Sequence, residues 1–110
     1  MVEYIPDRGD IIWLEFDPQK GKERKKKRPA LVVSPKSYNS KTGLTFVFPM
    51  TSKKKDYPFE VEIKYEKVQG VILSDQLKSF DWRGRKAQFI SKATDEVIYE
   101  SIEKFKVLLK

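Results

Sequence analysis

The sequence predicts a mainly β fold, a small barrel of SH3-like or OB-like kind with a C-terminal α-helix across one end. Short apolar or alternating runs, cut by Gly- and Pro-containing turns, follow one another as far as Ser91. Beyond Thr94 the period changes, and Ile98, Ile102, Phe105 and Leu109 recur at helical spacing. A length of 110 residues with 39% apolar content supports one domain, residues 1–110, with a modest core.

Each element has a local reason. Asp10 to Phe16 is a strand candidate behind the bend at Gly9, more apolar than alternating, so both of its faces are expected to be covered. "DPQKGKERKKKR" is a long polar loop. Ala30 to Ser34 reads as the second strand, closed by Pro35, and "KSYNSKTG" as a turn-rich connection in which Asn39 is a turn residue. Leu44 to Met50 is a third strand interrupted by Pro49, and "TSKKKDYP" a second basic loop. Phe59, Val61 and Ile63 alternate with Glu60 and Glu62, which points the apolar set inward. Gly70 to Leu73 and Gln76 to Phe80 are read as short strands joined at Ser74-Asp75, and Lys86 to Ser91 as the last strand. Thr94 is a suitable N-cap for the helix, with Asp95 and Glu96 in its first turn to complement the dipole.

The charge is uneven. The net +7 is concentrated between Lys20 and Arg28, where seven cations accompany the single anion Glu23. Such an excess calls for an anionic partner: nucleic acid, an acidic protein or an anionic surface. There is no Cys and no His, which excludes disulfides, thiolate chemistry, Cys-based zinc sites and the usual neutral-pH acid/base. No apolar run has membrane-spanning length and the N-terminal residues lack a signal-peptide core, so a cytoplasmic location and no membrane partner are expected.

The basic run is open to two readings, a solvated charge run or a ligand-binding loop. Its last residue stands apart. Pro29 fixes its own φ and restricts Arg28 to extended conformations, so this guanidinium is expected to be positioned in a way the upstream lysines are not. A planar fork at a rigid strand start suits bidentate phosphate recognition. Thr51 and Ser52 end another strand and either satisfy local backbone groups or serve the same site. Gln76 and Lys78 share a strand face by period two, and Trp82 is open to core packing or base stacking. Aromatics among cations fit single-stranded RNA, whose bases can splay and stack.

Taken together, "GDIIWLEFDPQKGKE", "RPALVVSP", "YNSKTG", "YPFEV", "DQLKSFDWRGR" and the terminal helix resemble the MazF/PemK family of bacterial toxins, over nearly the whole chain from Pro6 onward. The likeness is to its MazF-type mRNA interferases. It implies an SH3-like small β-barrel of the PemK/MazF/CcdB kind, a homodimer, and endonucleolytic cutting of single-stranded mRNA without metal or other cofactor. The products it implies are a 2′,3′-cyclic phosphate and a 5′-hydroxyl. It implies an acidic MazE-like antitoxin as partner, with DNA reached only indirectly through that antitoxin.

By the same likeness the catalytic residues are Arg28, Thr51 and the loop glutamate Glu23. The RNA path is expected along Arg24, Lys25, Lys26, Lys27, Asn39, Ser52, Lys55, Gln76, Lys78 and Trp82. "RKKKR" is more basic than the family's usual loop, and Lys27 stands where a His can occur. The chemistry is consistent with these assignments. RNA supplies its own 2′-hydroxyl nucleophile, Arg28 can stabilise a phosphorane, Thr51 can donate to a non-bridging oxygen, and Glu23 can position the attacking hydroxyl. Neighbouring cations are expected to keep Glu23 ionised, which argues against its acting as a strong general base. A gyrase-binding poison of CcdB type and a non-catalytic RNA-binding barrel are the alternatives; neither needs Arg28 and Thr51 together.

Overall fold

The computed structural model describes residues 3–15 and 27–110 of the chain. Among them seven strands and two helices follow in the order β1 (Asp10–Glu15), β2 (Lys27–Val32), α1 (Lys36–Thr42), β3 (Leu44–Thr51), β4 (Glu60–Lys64), β5 (Gln69–Leu73), β6 (Lys78–Asp81), β7 (Gln88–Lys92) and α2 (Asp95–Lys106). The strands run β4-β5-β3-β2-β1-β7, with β6 also on β3, every pairing antiparallel. The result is a curled, mostly β half-barrel with a C-terminal helix.

β1 and β2 are apolar on both faces because each face has its own core. Ile11, Leu31, Phe48, Met50 and Ile72 point to one side, where Val97, Ile98 and Phe105 of the α2 region pack. Ile12, Leu14, Ala30, Val32 and Val47 point to the other, against Tyr4 and Phe80. Strand alternation divides consecutive residues between the two. The Thr94 hydroxyl accepts the Val97 N–H at 3.2 Å, the cap that starts α2, an interaction worth about 0.5–2 kcal/mol. Phe105 then meets Phe48 with ring centroids 5.7 Å apart. The helical pattern stops sooner than its spacing suggests: Val107–Leu109 is a 3₁₀ turn, and Leu109 is exposed.

β3 is the hub. β6 pairs with its Leu44–Val47 half, β5 pairs with Met50 and Thr51, and β2 occupies its other edge. Pro49 falls where the ladder passes from one partner to the next, which is where a residue without an N–H fits inside a strand.

Several sequence-based expectations change. The segment expected as a turn-rich connection is α1, and Asn39 is a fully buried helix residue rather than a turn residue. Ser, Asn and Thr are poor helix formers, and local pattern alone argues against this helix. Tertiary hydrogen bonds override it: Asn39 Nδ2 donates to Pro6 O at 2.8 Å and to Ser34 O at 3.1 Å. The Ser34 hydroxyl donates to Asn39 Oδ1 at 2.6 Å, and the Gly43 N–H caps the helix on Asn39 O. Gln76 lies before β6, which starts at Lys78, so the two do not share a strand face. β2 begins earlier and β7 later than expected. Phe16 lies outside the described residues.

Candidate active site

The site grows from the register of β2 against β3. The pairs Ala30↔Pro49, Leu31↔Phe48 and Val32↔Val47, carried two residues further, set Arg28 opposite Thr51. On the far side of Arg28 lies Leu14, and on the far side of Thr51 lies Val71. Two residues remote in the chain thus end adjacent strands in a single row.

Gly70 is part of this construction. Its φ is +146°, and a Cβ there would stand 2.5 Å from the Thr51 carbonyl oxygen. Only glycine lets β5 come so close to the end of β3. Thr51 Oγ1 in turn accepts the Lys53 N–H at 3.2 Å. With that lone pair engaged, the hydroxyl proton is free to be donated outward.

Two grooves meet at this row. The first encloses about 580 Å³ between Trp13, Arg28, Thr51, Ser52, Lys53 and the Lys67, Val68 and Gln69 stretch that leads into β5. The second, about 570 Å³, runs from the same Arg28, Thr51 and Lys53 past Lys55 and Tyr57 to Asp75 and Gln76. Their shared wall is a guanidinium, a hydroxyl and an ammonium.

The loop from Lys53 to Phe59 is held in place. The Glu60 carboxylate accepts the Lys55 N–H at 3.1 Å and the Tyr57 N–H at 3.4 Å. Lys54 turns back to Glu62 at 3.1 Å, and this hydrogen-bonded pairing raises the lysine pKa and lowers the glutamate's. Lys53 and Lys55 are left facing the grooves. The Tyr57 hydroxyl donates to Asp75 Oδ2 at 2.9 Å, a bond that raises the phenol pKa and keeps the ring neutral. Asp75 Oδ1 is buried with no partner among the described residues.

Of the residues expected on the RNA path, Ser52, Lys55 and Gln76 line these grooves. Lys27 is exposed but its ammonium donates to Gln88 on β7 at 3.0 Å. Lys78 is exposed opposite Val47, near the other half of β3. Glu23, Arg24, Lys25 and Lys26 lie outside the described residues. Two expectations are corrected. Trp82 is 2% exposed, with its indole N–H donating to Asn39 O at 2.9 Å, so it packs inside and has no face to offer a base. Asn39 is closed in with it and meets no ligand.

Sequence reasoning missed Trp13, Lys53, Lys67 and Gly70. Lys53, next but one to Thr51, was within reach as the first cation after the strand-ending hydroxyl. Trp13 was not, because its place beside Arg28 follows from the Trp13↔Pro29 register. Among the described residues no group of three or more acidic side chains gathers to hold a metal ion.

Comparison with known proteins agrees with this fold. A family profile described as PemK-like, MazF-like toxin of type II toxin-antitoxin system matches residues 7–109. The endoribonuclease toxin MazF of Escherichia coli K12 is 51% identical over 84 residues, 76% of each chain. The crystal structure of MazF from Deinococcus radiodurans superposes with a TM-score of 0.87 at 45% identity, covering 97% of this chain and 98% of that one. A MazE-MazF crystal structure from the same organism gives 0.91 at 45% identity, covering 97% of each. Matched along almost its whole length, the chain belongs to the PemK-like, MazF-like toxin family of type II toxin-antitoxin systems.

Proposed function

We propose that this toxin is an endoribonuclease that cuts single-stranded mRNA through the RNA's own 2′-hydroxyl, without a metal ion, and so blocks translation and growth. The observation that carries the reading is the Arg28–Thr51 row, where two grooves join at a wall that carries Arg28 and Lys53. A single strand laid along both grooves has its phosphate at the shared wall. Paired RNA would have to open first, since its stacked bases cannot enter either groove separately.

In the step itself the 2′-oxygen attacks phosphorus and the bond to the 5′-oxygen breaks. The 2′-hydroxyl loses a proton and the departing 5′-oxygen gains one, leaving a 2′,3′-cyclic phosphate and a 5′-hydroxyl. Arg28 neutralises the charge that builds on the phosphorane, and donors fixed in advance contribute about 10²–10³ in rate. Thr51 donates to a non-bridging oxygen. Glu23 orients the attacking hydroxyl. Lys53, Lys55 and Lys67 hold the flanking phosphates.

The active form on this reading is a cytoplasmic homodimer. An apolar depression of about 490 Å³ beside Leu77, Phe48, Ile102 and Phe105, with the exposed Leu108 and Leu109, offers a surface for the second copy. An acidic MazE-like antitoxin occupies the same grooves and bars RNA from them. Light scattering on the purified chain tests the dimer.

The deciding experiment is incubation of a long unstructured RNA with the pure protein in EDTA, followed by end-group analysis. Discrete cuts with cyclic-phosphate and 5′-hydroxyl ends are expected, and Arg28→Ala should remove them while keeping most single-strand affinity. Intact RNA with the wild-type protein would overturn the reading.

A further inference from the structure

The two grooves each contain one partly exposed aromatic side chain that the core does not close over. In the first it is Trp13, in the second Tyr57. The two tryptophans of the chain make a useful contrast. Trp82 satisfies its indole N–H inside the fold, whereas nothing among the described residues pairs with the Trp13 N–H. A buried indole nearly always finds a partner. Trp13, half-buried and without such a partner among the described residues, lines the groove beside Arg28 and is accessible to a ligand there.

Tyr57 is unusual in a different way. It is 47% exposed, yet fastened at both ends: its hydroxyl on Asp75, and its ring against Phe59 at a centroid distance of 5.7 Å. A surface tyrosine with no such ties would keep its rotamer freedom and lose it on binding. Here that cost is met in advance.

We propose that Trp13 and Tyr57 are base-stacking platforms, one on each side of the phosphate that breaks. The inference rests on the endoribonuclease reading and deepens it. Its mechanistic content is geometric. In a continuous stack the 2′-oxygen lies to the side of the phosphorus–O5′ bond. In-line attack needs the two flanking nucleotides turned apart. Seating one base on Trp13 and the next on Tyr57 separates them across the Arg28–Thr51 row and holds the opened backbone in a reactive geometry. Stacking is tolerant of base identity, so the platforms set geometry, and polar groups such as Gln76 are left to set sequence preference.

The test uses the full-length protein and a short RNA carrying one mapped cut site, together with its 2′-O-methyl analogue, which lacks the nucleophile. Trp13→Leu and Tyr57→Leu keep apolar bulk without a π face; Trp13→Phe and Tyr57→Phe keep the face. Each Leu variant should bind the analogue roughly 5- to 150-fold more weakly and cut more slowly even at saturation. The Phe variants should bind more tightly than the Leu variants but short of wild type, since Tyr57→Phe gives up the Asp75 tie and Trp13→Phe the indole N–H. Titrating the analogue should quench the wild-type tryptophan emission, and Trp13→Leu should abolish the change because Trp82 is sealed inside. Equal behaviour of Leu and Phe variants, or quenching that survives Trp13→Leu, would refute the platforms. Trp13 also packs on the core; if its Leu variant fails to fold, the wild-type quenching and the Tyr57 pair decide. Wild-type protein that leaves the RNA whole brings down the endoribonuclease reading itself. Wild-type cutting with fully competent Leu variants brings down only the platforms.

Discussion

At the Leu44 end of β3, Ser34, Asn39, Thr45 and the Trp82 indole form an interior polar network closed to water. At the Thr51 end, Arg28, Lys53, Lys55 and Lys67 surround open grooves, with no ion-pair partner among the described residues. One end satisfies its polar groups internally and so specifies the fold. The other leaves these cations hydrated and open to an anion, with Asp56, Glu60 and Asp75 along the second groove. Polar residues bring order where they are saturated and function where they are not.

Substitutions should separate the two ends cleanly. The largest effect belongs to Arg28→Ala, which should lower RNA cutting by about 10²–10³-fold with an unchanged melting temperature, since this side chain is exposed and supports nothing in the core. Asn39→Ala should do the reverse. It strips partners from Ser34 and from the Pro6 carbonyl, for a loss of about 2–4 kcal/mol by urea titration, while cutting per folded molecule stays at the wild-type level. A comparable loss of cutting in both variants would erase the distinction between the ends.

Gly70→Ala should fall between them, because its Cβ would strike the Thr51 carbonyl oxygen. Backbone strain of about 1–3 kcal/mol and a reduced turnover number are expected together, and a drop in only one would show that Gly70 does not link fold to site. The smallest effect is the subtlest to measure. Replacing Lys53 or Lys67 with Ala should make the salt dependence of single-strand binding shallower by about 0.7 log units for each phosphate the variant no longer neutralises. Lys54→Ala should leave the slope unaltered, since that ammonium is committed to Glu62.

Much of this was legible beforehand where the cause is local. The Thr94 cap, the inward-facing Val61 and Ile63, and Arg28 stiffened by Pro29 depend on neighbours in the chain, and the structure places the first two as read. Errors gathered where the cause is remote. The α1 helix is tied to Pro6 and Trp82, both remote from it in the sequence. The exchange of roles between the tryptophans has the same origin. Neither residue's neighbours say which indole will find a carbonyl in the interior and which will be left in a groove.

The amino-acid order determined by itself a small basic β domain with a terminal helix, since hydrophobic period, turn residues and charge are properties of short segments. It also determined that the chemistry must do without histidine and cysteine. Tertiary structure alone decided that Arg28 and Thr51 line the same grooves, that Gly70 admits β5 beside Thr51, and that Trp13 rather than Trp82 faces the groove. Strand register sets all three, and a shift of one residue turns every side chain of a strand to the opposite face.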